Sequence, residues 1–96
     1  MIIEIATFNL KAGVSVAEFL PLDKAVEVEH VAKQPGFISR ESGATEHGEW
    51  VAVVHWQSVA DAEASMASFA DAPPTAQFMA NMDANTMQMK HYVLNS

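Results

Sequence analysis

Cysteine is absent from this 96-residue chain, so disulfide staples and thiolate chemistry are both excluded. Basic residues are scarce. Lys11, Lys24, Lys33, Arg40 and Lys90 are scattered among twelve acids, for a formal charge of −7. Nucleic acids and anionic membrane surfaces are bound through clustered cations that neutralise phosphates, so neither is an expected partner. Long apolar runs are missing too, and no stretch would cross a bilayer. The opening MIIEIATFNL carries an acid at position 4 and no basic leader, so it does not read as a signal peptide. A cytoplasmic protein is the expectation. The chain has no phosphate-cradling glycine loop, no zinc-ligand spacing and no nucleophile elbow, which leaves haem, flavin and nucleotide without support. No cofactor is expected.

What the chain does have is apolar content, at 50% of residues. That places it among globular proteins, and 96 residues suit one domain spanning positions 1–96. For so small a core the content is generous, and burial against a second copy would use the surplus.

Residues 2–10, IIEIATFNL, are rich in β-branched and aromatic types and read as a strand buried on much of both faces. Ser15-Val16-Ala17-Glu18 has the form of a capping box, which predicts a helix from there to about Lys33. Pro21 either kinks that helix or marks its first turn. Gln34-Pro35-Gly36 ends it, Phe37–Ala44 reads as a second strand, and Glu46-His47-Gly48 as a hairpin loop. WVAVVHW, residues 50–56, is the strongest strand signal. After a cap at Ser58, Val59, Ala62, Met66 and Phe69 make a helical stripe. Pro73-Pro74 interrupts it, a short helix carries Phe78, Met79 and Met82, and a fourth strand covers about Thr86–Leu94. The order β-α-β-β-α-β predicts an α+β, ferredoxin-like antiparallel sheet with two helices on one face. The other face needs a cover, and a second copy is the expected one.

The stretches QPGFISRES and EWVAVVHWQSVADAEAS resemble the antibiotic-biosynthesis monooxygenase-like domains of the dimeric α/β-barrel superfamily. The match lies in Pro35-Gly36-Phe37 leading the second strand, Trp56 and Ser58 closing the third, and Asp61-Ala62 opening the next helix. The resemblance implies a homodimer in which two sheets form a barrel, with a pocket between sheet and helices in each subunit. It also implies activities ranging from cofactor-free oxygenation of aromatic polyketides to haem degradation, cyclisation and isomerisation. Haem-degrading relatives use a first-strand Asn together with a Trp and a His in the second helical region. Asn9 is near the first position, but Val59–Met82 contains neither of the others, which disfavours that activity.

The first helix poses the sharpest chemical question. Asp23, Glu27 and His30 recur at i, i+4 and i+7 on or beside the face that carries Phe19 and Val26. Two readings follow. Asp23 and His30 form an acid–imidazole base facing a pocket, with Glu27 marginal, or Pro21 shifts the register and puts all three on a solvated flank. A divalent-metal site at the triplet is a weaker third reading, and no metal is expected. His55 shares a strand face with Val51 and Val53, opposite Trp50 and Trp56, and points either into a pocket or toward a dimer partner. Arg40, the one arginine, orients a ligand carboxylate or pairs with Glu41 or Glu49. Five of six methionines fall in the last third, where they fill core or shape an adaptable apolar pocket.

The expectation is a cofactor-independent, monooxygenase-like enzyme for a small apolar or aromatic molecule. His30 and Asp23 would supply base chemistry, and Asn9, Phe37, His55, Trp56, Met66 and Met79 would contact substrate. The alternative is a non-catalytic small-molecule binding or dimerisation module of the same fold.

Overall fold

The computed structural model describes residues 1–95. Strands β1 (Ile2–Leu10), β2 (Phe37–Ala44), β3 (Glu49–Trp56) and β4 (Met82–Val93) form one sheet in the order β2-β3-β1-β4. Every neighbouring pair is antiparallel. Helices α1 (Val16–Glu29), α2 (Val59–Phe69) and the short α3 (Ala76–Ala80) complete the ferredoxin-like α+β arrangement.

Alternation along the two central strands sets the layers. Ile2, Glu4, Ala6 and Phe8 of β1 and Trp50, Ala52, Val54 and Trp56 of β3 are buried on one face. They pack with Phe19 and Val26 of α1 and Phe78 of α3 in one core. Edge-to-face aromatic pairs knit it, with Phe19 at 4.9 Å from Trp50 and Phe8 at 5.5 Å from Phe78. The opposite face presents Ile3, Ile5, Val51, Val53 and His55, all only half-buried. The first strand is thus two-sided in character, but only its even positions lie in the core.

The capping box forms as expected, with the Glu18 amide donating to Ser15 Oγ and the Ser15 amide to the Glu18 carboxylate, both at 3.1 Å. The helix therefore starts at Val16 and runs through Pro21, so Pro21 is not its first turn. It stops at Glu29, earlier than expected. His30 is the C-cap, and Val31–Lys33 tighten into a 3-10 turn. Gly36 then enters the left-handed region at φ 81°, and a Cβ there would collide with the Asp61 carboxylate. Asp61 is held in place by Ser58, whose hydroxyl donates to it at 2.9 Å. Gly36 and Asp61, from separate motifs in the sequence, are one packed contact.

β4 starts at Met82, four residues before the expected Thr86, so Met82 belongs to the strand and not to the preceding helix. The polar Asp83-Ala84-Asn85 segment hides this start. A register shift against β1 falls there, and side chains replace ladder bonds: Asn9 donates its amide to Thr86 Oγ1 at 2.8 Å, and Thr86 Oγ1 donates to the Asp83 carbonyl at 2.7 Å.

Candidate functional site

Between the helix-facing side of the sheet and α2–α3 lies a cavity of about 170 Å3. The five methionines Met66, Met79, Met82, Met87 and Met89 all border it. Phe8, Trp56, Phe69 and Phe78 supply its aromatic wall. The sheet positions these groups by alternation, while the turn after α2 is closed by the buried Thr75, whose hydroxyl donates to the Phe69 and Ala72 carbonyls.

Besides Ser65 and Arg40, the latter bound to Asp23 and Glu27, two polar features break this apolar lining. Glu4 borders the cavity from β1, and its Oε1 is 3.0 Å from Nε2 of His91 on β4. With Glu4 ionised, the imidazole is the donor. The register makes the pair, because Glu4 and His91 are directly opposite across the β1–β4 ladder. The second feature is Trp56. It is 1% exposed, and its indole Nε1 is the one buried side-chain polar atom without a hydrogen-bond partner among the described residues. An orphaned buried donor is costly, and such groups in folded chains call for an acceptor.

Asp23 does face inward, but its chemistry is already committed. Its carboxylate takes two hydrogen bonds from the Arg40 guanidinium, at 2.7 and 2.9 Å. Ser42 Oγ donates at 2.7 Å and Trp50 Nε1 at 3.2 Å. Burial pushes the Asp23 carboxyl up, yet the hydrogen bonds and charge of Arg40, with Ser42 and Trp50, outweigh it and hold the group below its ordinary value. Burial opposes the charge on Arg40 in turn, and Asp23 and Glu27 hold it firmly protonated. A carboxylate saturated by four donors is a structural anchor between α1 and β2, and the expected Asp23–His30 base pair does not form. Arg40, expected to pair with Glu41 or Glu49 or to hold a ligand carboxylate, pairs with Asp23 and Glu27 instead of those two acids, and it borders the cavity. Glu27 is thus spoken for as well, and no group of three metal-ligating side chains converges among the described residues.

His30 is buried, with Nε2 at 3.3 Å from Ser68 Oγ and its ring edge-on to Phe69. It stands behind the cavity wall and does not line it. Phe37 also sits one layer back, packing edge-to-face on Trp56 at 5.9 Å. Asn9 is exposed and borders a separate open depression with Lys11, Gly13 and His47. His55 is on the opposite face of the sheet, its Nδ1 3.3 Å from Ser39 Oγ, and cannot reach the cavity. Of the eight residues expected at a site, the cavity gathers Trp56, Met66 and Met79. It adds Glu4, which the sequence marks as an acid alternating with Ile2, Ala6 and Phe8.

No protein-family model matches the chain, and a comparison with curated proteins gives no match. Solved structures do match. SnoaB, a cofactor-independent oxygenase from Streptomyces nogalater, superposes with a TM-score of 0.78 at 15% identity, over 99% of this chain and 93% of its own. An antibiotic biosynthesis monooxygenase gives 0.73 at 16% identity, over the whole of both chains. This chain has the antibiotic-biosynthesis monooxygenase fold. The same fold relates it to At3g17210 from Arabidopsis thaliana, with a TM-score of 0.78 at 14% identity, over 100% of this chain and 97% of the other. In this monooxygenase fold the Pro35-Gly36-Phe37 and Asp61-Ala62 segments meet, through the contact of Gly36 with Asp61.

Proposed function

We propose that this protein is a cofactor-independent oxygenase for a small, largely apolar or aromatic molecule held between the sheet and the helices. The observation that carries this reading is the composition of the cavity: aromatic and methionine walls with Glu4, Arg40 and Ser65 as polar groups on one ligand-sized space. A protein of the same fold is a cofactor-independent oxygenase, which lends support. Such a reaction needs no external reductant. An electron-rich phenol loses its proton, and a ring C–H becomes a carbonyl. Dioxygen ends as that carbonyl oxygen and one water, and the substrate supplies all four electrons. The protein's share is to bind the ring, accept the proton and exclude bulk water.

Two copies would pair through the open sheet face. Across that face one row reads Glu41, Val53, Ile5, Lys90, an apolar centre between an acidic and a basic margin. A two-fold partner can set Lys90 of each copy near Glu41 of the other while burying the valines and isoleucines.

The test is oxygen uptake by the purified protein with a panel of electron-rich phenols, with mass analysis of products made under labelled dioxygen. One labelled oxygen gained and two hydrogens lost supports the oxygenase. Ligand-induced stabilisation without oxygen consumption would instead establish the second reading, a binding module, which the almost wholly apolar wall favours.

A further inference from the structure

We propose that Glu4 is the recognition group of this cavity and that its ligand is an organic cation, a protonated amine on an apolar or aromatic body. This rests on the reading of the cavity as the ligand site, and it narrows the small molecule proposed above to one that carries a positive charge.

Two acids are buried in the core, and they are satisfied very differently. Asp23 accepts four hydrogen bonds, from Arg40 twice, Ser42 and Trp50. Glu4 is met only at Oε1, by His91. Among the described residues Oε2 receives no hydrogen bond. Nor is it sealed, since Trp56 Nε1 is the one fully buried side-chain polar atom left without a partner. Oε2 therefore keeps accessible surface, and the space that Glu4 borders is the cavity. Two other buried side chains on the wall share this state. Ser65 Oγ and Arg40 Nε also lack partners among the described residues and also stay accessible. The indole nitrogen of Trp56 is out of a ligand's reach, and that residue offers its ring alone. A buried carboxylate with one oxygen unmet calls for a donor.

Charge decides which donor. Glu4 and Arg40 are the two charged residues on the wall. Arg40 is already opposed by Asp23 and Glu27, so an anion gains little from it and is repelled by Glu4. A neutral hydroxyl gives Oε2 one hydrogen bond. An ammonium gives it a hydrogen bond and a counter-charge together, and the mutual attraction is strengthened where water is partly excluded. The rest of the wall suits a cation as well. Phe8, Phe69 and Phe78 present aromatic rings, whose faces attract positive charge, and the five methionines present polarisable thioethers. Around the cavity the chain carries a formal charge of −7, which draws cations toward the protein and keeps anions away. Ser65 Oγ and Arg40 Nε remain for uncharged polar atoms on the ligand's body.

Three molecules of nearly one shape separate the charge classes: 2-phenylethylamine, 2-phenylethanol and phenylacetate. Their binding is read by calorimetry and by displacement of N-phenyl-1-naphthylamine, an uncharged fluorescent probe of apolar cavities. The experiment is run at about pH 8, where an alkylamine is still protonated. The wild-type protein should bind the amine at least about tenfold more tightly than the alcohol, and the acid most weakly. Glu4→Gln keeps the shape of the side chain and removes its charge. In that variant the amine should fall to within about threefold of the alcohol, while the alcohol and the probe keep their affinities within about threefold, which reports an intact cavity. The wild-type ranking tests the charge class by itself if Glu4→Gln does not fold. An alcohol or acid that binds the wild-type protein as tightly as the amine overturns the proposal, and binding of the probe then still supports the cavity as a ligand site. A preference for the amine that survives in Glu4→Gln overturns the assignment to Glu4. If the wild-type protein binds neither the probe nor any of the three, the proposal and the reading of the cavity fall together.

Discussion

Replacing Asp23 by Asn tests the buried anchor between α1 and β2, and the size of the effect follows from the contacts. The side chains of Asp23 and Arg40 are 7% and 3% exposed, so neither charge can turn to solvent when the other is lost. The carboxylate accepts four hydrogen bonds, from Arg40 twice, Ser42 and Trp50. An amide offers one acceptor oxygen and turns an NH2 toward donors, leaving Arg40 with only the partly exposed Glu27 as its counter-ion. Breaking one side of a buried pair costs about 3–5 kcal/mol. That is a large part of the roughly 5–15 kcal/mol that holds a domain together, and in a domain of this size it lowers Tm by more than about 12 °C. Urea titration followed by tryptophan emission suits the measurement, since Trp50 itself bonds Asp23. Protein concentration must be held constant, because self-association would add its own stabilisation. The pH dependence has a definite sign. Folded Asp23 titrates below its ordinary 3.8, so as pH falls through that value the unfolded chain takes up the proton first. The contribution is therefore complete above pH 3.8 and drains away below it, and wild type and Asp23→Asn should converge in acid. A loss under about 1 kcal/mol at pH 7, the worth of an exposed ion pair, would refute the argument.

Gly36→Ala forces a side chain into the left-handed region, at about 1–2 kcal/mol, and also drives a methyl into Asp61; a total loss above about 2 kcal/mol by urea titration is expected, partly restored by adding Asp61→Ala. Val53→Glu puts a charge at the centre of the half-buried sheet face and, under the proposed pairing, should turn the dimer expected of the unaltered protein into a monomer by size-exclusion chromatography with light scattering, while the far-ultraviolet circular dichroism is kept. Met79→Trp fills the cavity between sheet and helices; fluorescence or calorimetric titration should show ligand affinity falling by at least tenfold, with stability changed by no more than about 1–3 kcal/mol.

Local signals in the sequence were good guides to local structure. Ser15 with Glu18 and Ser58 with Asp61 mark both long helices, and the alternation in WVAVVHW separates the core face of β3 from its open face. Contacts across the chain were not legible in the same way. Asp23 is an acid on an apolar helix face, and only the packing of α1 on β2 shows that Arg40 and Ser42 satisfy it. His30 lies on that face too, but the chain leaves the helix at Glu29 and turns the imidazole toward Ser68. Glu4 was the overlooked signal. An acid among Ile2, Ala6 and Phe8 is costly unless paired, but its partner His91 lies at the far end of the chain and is set by β4 register. That register includes a shift which the polar Asp83-Ala84-Asn85 run conceals.

The two interruptions in strand pairing, at Phe37/Ser39 and at Thr7/Asn9, involve the two outer strands of the sheet. An unbroken outer strand is a template on which another chain can add, residue by residue, into an open-ended assembly. Here one rim has its pairing interrupted where β2 begins and carries the exposed Glu41, and the other is disturbed near the start of β4 and carries Lys90 farther along. Growth sideways is thereby discouraged at both rims. The pairing proposed above uses the broad half-buried face instead, and a two-fold contact between two such faces would close on itself rather than propagate.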